Sequence, residues 1–139
     1  MTPAEMAALH ARALTSPPPW SAQAFASLSD SPGTFTLGDA RGFVTGRALA
    51  GEAEVLTLAI APEFRRQGLA RALMSEFHDT ARANGAATAF LEVAEDNPAA
   101  IALYLSLGYE PAGRRRGYFS GADSARVDAV VMKKSLTTP

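Results

Sequence analysis

The chain has 139 residues, 47% hydrophobic and 19% charged, with a formal net charge of -1 and no cysteine. That size and apolar content fit one domain with its own core, expected to span residues 1–139. The near-neutral balance gives no broad attraction to nucleic acid or to an anionic membrane, so neither is expected as a partner.

The missing cysteines exclude disulfides, thiol nucleophiles and thiolate zinc, and His10 and His78 are the only imidazoles, so no metal is expected. No basic-then-apolar leader opens the chain, and no run approaches the roughly 20 apolar residues of a membrane span. A soluble, cytoplasmic protein is the expectation.

Residues 4–14 carry Met6, Leu9, Ala13 and Leu14 at helical spacing, with Thr2 or Pro3 at the start and Pro17-Pro18-Pro19 as the stop. Ser21 can cap a second short helix to about Leu28, with Trp20 placed to staple against Phe25. Two strands, Thr34 to Leu37 and Gly42 to Leu49, are expected to form a hairpin turning at Gly38-Asp39, and a longer strand should run from Glu52 to Ala61. The end of that strand hardly alternates, as expected when both faces are covered.

Ala70, Leu73, Met74, Phe77 and Ala81 predict an amphipathic helix from Leu69 to Arg82, ended by Asn84-Gly85. Thr88 to Ala94 reads as a buried strand. Asn97-Pro98 supplies a cap and first-turn proline for a helix ending before Gly108, and its apolar character all round predicts that it is wedged inside the domain. Tyr109 and Val127 to Met132 mark two final strands, giving a mixed α/β layer fold.

Gly68 lies between a buried strand and an amphipathic helix, in the run Arg65-Arg66-Gln67-Gly68-Leu69-Ala70. Free N–H groups and the positive end of a helix dipole suit a pyrophosphate there, and Arg65, Arg66 and Arg71 add charge. The run lacks the Lys-Ser/Thr of a P-loop and the G-x-G-x-x-G of a dinucleotide fold. Taken alone, it reads equally well as an ordinary strand-to-helix turn with surface arginines.

Glu92 interrupts the otherwise apolar strand Phe90-Leu91-Glu92-Val93, a costly placement unless the carboxylate is solvated, paired or neutral. It is either a general base or a side chain pointing from a half-exposed face into solvent. Tyr104 is the only ionisable group in its helix, and reads as a proton donor or as a core aromatic with its hydroxyl at the rim.

Together with Pro19-Trp20-Ser21 and Phe25, the strand from Glu52 to Pro62, Asn97 through Tyr109, Arg115 to Phe119 and Asp128 to Met132, these segments resemble the GCN5-related N-acetyltransferase (GNAT) superfamily. Within it, they are most similar to the RimI-type branch that acetylates the N-terminal alanine of ribosomal proteins. The resemblance covers nearly the whole chain.

The resemblance implies a GNAT fold, with a splayed, twisted mixed sheet flanked by helices; the chain departs from it in that helix signals begin at once, so the family's first strand is expected to be missing or its edge re-covered. It implies acetyl-coenzyme A as acetyl donor. The pantetheine arm would pair with the backbone of Leu58, Ala59 and Ile60, the pyrophosphate would sit on Arg66, Gln67, Gly68, Leu69, Ala70 and Arg71, and Asn97 would contact the coenzyme further on. Glu92 would be the general base, through water, and Tyr104 the acid, in a direct transfer without an acetyl-enzyme. A backbone N–H near Ile60 would polarise the thioester carbonyl.

The acceptor implied is a protein N-terminal peptide, with small-subunit ribosomal protein eighteen as the family's typical target. Trp20, Glu54, Tyr118 and Phe119 are candidates for lining its mouth, with plain packing as the alternative. Ala94-Glu95-Asp96 makes this rim more acidic than in relatives, and Arg114-Arg115-Arg116 extends their paired arginines without a wider basic face. Fold alone does not fix the acceptor, so a small-molecule amine or a lysine stays open, as does a non-catalytic acyl-coenzyme-A-binding module.

Overall fold

The computed structural model describes residues 1–14, 19–120 and 126–137. Helices α1 (Pro3–Ala13) and α2 (Ala22–Ser29) precede strands β1 (Thr34–Asp39), β2 (Gly42–Leu49) and β3 (Glu52–Ile60). A short 3-10 turn over Pro62–Phe64 leads to α3 (Leu69–Ala83), followed by β4 (Thr88–Ala94), α4 (Pro98–Ser106), β5 (Glu110–Ser120) and β6 (Arg126–Ser135). The six strands form one sheet in the order β1-β2-β3-β4-β6-β5. Among the described residues no strand precedes α1, and none of the helices is long and apolar enough to cross a membrane.

The helix ends follow from local chemistry. Thr2 and Glu5 form a reciprocal capping box at α1, the Ser21 hydroxyl accepts the Ala24 N–H at α2, and the Trp20 and Phe25 rings meet at 5.3 Å as a staple. Helix α3 ends with Gly85 at φ +85°, its N–H donating to Arg82 and the Ala86 N–H donating to Ala81, a Schellman closure. Of the Pro17-Pro18-Pro19 stop, Pro17 and Pro18 lie outside the described residues.

Two sequence expectations are corrected. The first hairpin turns at Ala40-Arg41, not Gly38-Asp39: Asp39 pairs with Gly42, and its carboxylate accepts the Arg41 N–H at 2.9 Å, which closes the turn one step later. Helix α4 is not wedged inside; only Tyr104 is buried, while Ala99, Ala102 and Leu105 face out, because a single side of the helix packs on the sheet.

The feature that creates the site is a parting of the sheet. Strands β3 and β4 pair in parallel only at residues 52–55 with 88–91. Next to the last of these pairs, the register of β2 against β3 jumps from Thr45↔Thr57 to Gly46↔Val55, leaving Leu56 as an extra residue. Such a bulge bends and twists its strand, so β3 swings away from β4.

The bulge also sets which side chains share a face. Val55, Leu58 and Ile60 pack with Leu73, Met74 and Phe77 under α3, whereas Ala59 packs with Phe25 and Phe43 under α1 and α2. Leu91 and Val93 of β4 join the α3 side, so by strand alternation Glu54, Thr57 and Glu92 face the α1/α2 side. Helix α3 can lie close to β2 because Gly46 has no side chain; a Cβ there would stand 2.4 Å from the Phe77 ring.

Candidate active site

The parted strands enclose a cleft of about 540 Å³, reached from both faces of the sheet. Its walls include Leu58 and Ile60 from β3, Glu92 and Val93 from β4, Asn97 and Tyr104 from the α4 segment, and Trp20 and Phe119 at the mouth. Beyond Val55, β3 has no ladder partner on its β4 side among the described residues, so its backbone there is open to an extended ligand.

Tyr104 enters from the α3 side of the sheet. Its ring is buried edge-on against Tyr109, with centroids 5.9 Å apart, and burial pushes its phenol up to about 12. The hydroxyl is therefore held protonated near neutral pH, with a proton available to give.

Glu92 stands on the opposite face. Its side chain is 17% exposed, and one carboxylate oxygen lies 2.8 Å from Arg115 Nε in an ion pair. Arg115 also lies over the Tyr118 ring, 5.3 Å from its centroid, and the Glu92 carboxylate beside Tyr118 is the main cause raising that phenol's pKa. Of the choices open from sequence, the carboxylate is paired, not free in solvent.

Glu92 also lines a second cavity of about 380 Å³ on the same face, with Arg47, Glu54 and Arg115. Arg47 and Glu54 form an ion pair at 3.2 Å. The two cavities meet at Leu91 and Glu92, so the carboxylate stands between the cleft and an outer, charged vestibule.

The glycine loop forms a distinct region. Gly68 caps α3 at φ +78° with no side-chain acceptor, leaving the first-turn N–H groups without a partner from the cap. A Cβ on Gly68 would meet no atom within 4 Å, so the space beside the cap residue is open. Arg66 is also left-handed, at φ +63°, which curls the loop.

Gln67, Gly68 and Leu69 line a cavity of about 510 Å³ shared with the Gly38–Gly42 hairpin, while the cleft ends at Arg65. Arg65 donates to the Ala13 carbonyl at 2.7 Å, tying the loop to α1, and Arg71 donates to the Ser106 hydroxyl at 2.7 Å, tying α3 to α4, so both fasten elements as well as adding charge. Arg66, Ala70 and Arg71 line neither cavity. Ala59 is buried on the α1/α2 side, leaving only its backbone for a ligand.

The structure thus brings Trp20, Leu58, Ile60, Glu92, Asn97, Tyr104 and Phe119 around one cleft, puts Glu54 in the adjoining vestibule and keeps Tyr118 beside Arg115. Asn97 also caps α4, accepting the Ala100 N–H at 3.2 Å. The arginine run divides: Arg114 bonds Glu95 and Asp128, while Arg115 holds Glu92. Sequence reasoning missed Arg47, Arg115, His10 and Thr57 as site residues; cross-strand pairing and helix docking bring them in, and no local pattern marks them.

Among the described residues no cluster of three or more His, Asp or Glu could hold a metal ion. The acetyltransferase (GNAT) family profile matches residues 7–109. The ribosomal protein bS18-alanine N-acetyltransferase of Escherichia coli (strain K12) is 40% identical over 118 residues, covering 82% of this chain and 79% of that one. N-alpha-acetyltransferase RimI of Mycobacterium tuberculosis is 42% identical over 81 residues, 57% of this chain and 49% of its own. The crystal structure of the ribosomal-protein-S18-alanine N-acetyltransferase from Escherichia coli superposes with a TM-score of 0.85 at 33% identity, covering 97% of this chain and 88% of that chain.

Proposed function

The chain belongs to the GNAT acetyltransferase family, and from that membership we propose that it transfers the acetyl group of acetyl-coenzyme A to the α-amine of an alanine-started protein N-terminus of the ribosomal-protein type. Residues 1–139 act as one catalytic domain. The observation that carries the reading is the split sheet, with a carboxylate on one face, a protonated phenol on the other and one cleft between them. An amine and a thioester can meet there from opposite sides, which is what a direct transfer requires.

The donor fits the residues present. Open space beside Gly68, at an uncapped helix N-terminus, suits the pyrophosphate, and the unpaired β3 edge over Leu58, Ala59 and Ile60 suits the amide-bearing pantetheine arm. Asn97, at the head of α4, stands on the cleft wall where the arm would pass.

The acceptor amine, with a reference pKa of about 8, arrives largely as ammonium. Glu92, through a water in the vestibule, takes one proton, and the freed nitrogen lone pair attacks the thioester carbonyl carbon. The negative charge that develops on the carbonyl oxygen is met by a backbone N–H near Ile60. As the C–S bond breaks the nitrogen gives up its second proton to solvent, the leaving thiolate takes a proton from Tyr104, and solvent returns a proton to the phenolate while Glu92 passes its own to bulk water. An amide and free coenzyme A result, and no bond to the protein forms.

Trp20 and Phe119 offer apolar walls at the mouth, and Glu54 and Tyr118 stand further out beside Arg47 and Arg115. The test is mass spectrometry of the purified protein with acetyl-coenzyme A and three acceptors: an alanine-started peptide, an N-blocked lysine peptide and a polyamine. Selective α-acetylation of the first is expected. Preference for the lysine or the polyamine would displace the N-terminal assignment, and coenzyme binding without turnover of any amine would leave only a binding module.

A further inference from the structure

The direct-transfer mechanism has no use for His10, yet this imidazole is 1% exposed and fully hydrogen-bonded. It projects from α1 into a cage of Trp20 and Phe25, both with ring centroids at 5.3 Å, and Phe43 at 6.3 Å. Its Nδ1 lies 2.8 Å from the backbone nitrogen of Trp20, and its Nε2 lies 2.8 Å from Oγ1 of Thr57, on β3 just past the Leu56 bulge.

The two contacts fix the proton. A backbone N–H can only donate, so Nδ1 must be the acceptor and the ring hydrogen must sit on Nε2. Burial lowers the His10 pKa to about 4, which keeps this neutral tautomer in place at physiological pH. Nε2–H therefore donates to Thr57, whose hydroxyl oxygen is the acceptor. The hydroxyl hydrogen is left over, and among the described residues Thr57's side chain makes no other hydrogen bond.

Thr57 lines the cleft, on the sheet face that also carries Glu92 and on the side closed by α1 and Trp20, away from the α3–α4 side where Tyr104 enters. A partly buried hydroxyl constrained to donate selects a hydrogen-bond acceptor in whatever binds there. Resting on the N-terminal-peptide reading above, we infer that Thr57, turned by His10, donates a hydrogen bond to the carbonyl oxygen of the acceptor's first residue.

An N-terminal α-amine always has such a carbonyl two bonds from the nitrogen, whereas a lysine ε-amine or a polyamine has none in that position. The His10–Thr57 pair is thus a positioning device that favours α-amines. The same His10 bond to the Trp20 N–H ties the mouth of the cleft to the selecting hydroxyl.

The test compares Thr57→Val and Thr57→Ser with the wild type on an alanine-started peptide and on its analogue with the first carbonyl reduced to methylene. Loss of one neutral hydrogen bond should raise the peptide KM of Thr57→Val about 5- to 10-fold with kcat nearly unchanged. Thr57→Ser should stay near wild type. The reduced analogue should be handled equally by wild type and Thr57→Val, and coenzyme A affinity by calorimetry should not move.

Nitrogen-15 spectra of the histidine-labelled full-length enzyme give an independent readout, expected to show His10 neutral and protonated at Nε2 from pH 5 to pH 8. An Nδ1–H or imidazolium signal overturns the inference. So does an equal loss on both acceptors, or weakened coenzyme binding, which would assign the hydroxyl to the thioester. Full peptide activity in Thr57→Val overturns this inference alone, whereas a wild type inactive on every peptide overturns the reading beneath it as well.

Discussion

Gly68 offers the sharpest separation of fold from function, because the cost of replacing it can be divided in advance. At φ +78° an alanine is strained, which costs about 1 kcal/mol, but its methyl would meet no atom within 4 Å and adds no clash. For a chain of this size, that loss lowers the melting temperature by roughly 4 °C. The same methyl adds bulk at the N-cap of α3, beside first-turn N–H groups that no cap side chain engages. If a pyrophosphate sits there, coenzyme A affinity of Gly68→Ala should fall at least about 10-fold, or about 1.4 kcal/mol. Gly68→Glu would add a like charge beside any phosphates held there, and two such charges at about 4 Å repel by roughly 1–4 kcal/mol at an effective dielectric of 80 to 20. Isothermal titration with coenzyme A, beside S-acetylpantetheine as a probe without the pyrophosphate, and a thermal melt on each variant measure the two parts. A Gly68→Ala protein that melts a few degrees lower yet binds coenzyme A within twofold of wild type would refute the cradle.

Tyr104→Phe should lower kcat about 100-fold with little change in coenzyme affinity, since a buried, protonated phenol acts only as sulfur departs; wild-type turnover in rapid-quench assays would remove it from the mechanism. Glu92→Gln should slow transfer most at low pH, where an unassisted amine stays protonated, and a pH–rate profile unchanged from wild type would count against the base. His10 and His78 are both lowered to about 4 from 6.5, mainly by burial. Between those values the unfolded chain binds more protons than the folded one, so stability is complete above pH 6.5 and declines as the pH falls toward 4. The loss approaches about 3 kcal/mol for each histidine. Urea midpoints from pH 7.5 to 4.5 should drop accordingly, with a shallower slope in His78→Gln; a flat series would contradict it.

Much of the architecture was legible because it is local. The Ser21 cap, the Trp20 staple, the Asn84-Gly85 stop and the Asn97-Pro98 start each depend on residues within a few positions, and each appears as read. Helix α4 was misread because an all-apolar helix looks buried by composition, whereas one-sided packing leaves Leu105 49% exposed. The hairpin was misread by favouring Gly38 over an Asp39 side chain that stabilises the later turn.

For the site, Glu92 and Tyr104 could be singled out as misfits in their own segments. Their surroundings could not be read the same way. The Arg115–Glu92 pair depends on how β5 and β4 flank β6, Arg47–Glu54 on the register of β2 and β3, and the His10–Thr57 bond spans 47 positions. Such contacts are products of topology, and no periodicity in the chain encodes them.

The single extra residue at Leu56 has a mechanical consequence. Strands β1, β2 and β3 form one leaf, β4, β6 and β5 another, and the stitching between them is four residue pairs at one end of the seam. An extended ligand laid along Leu58 to Ile60 would supply rungs that the polypeptide leaves out, becoming in effect a temporary seventh strand. Occupancy would then stiffen the whole sheet as well as fill a hole, and the melting temperature would rise with ligand concentration by linkage. Product release, on the same view, is the loss of a strand.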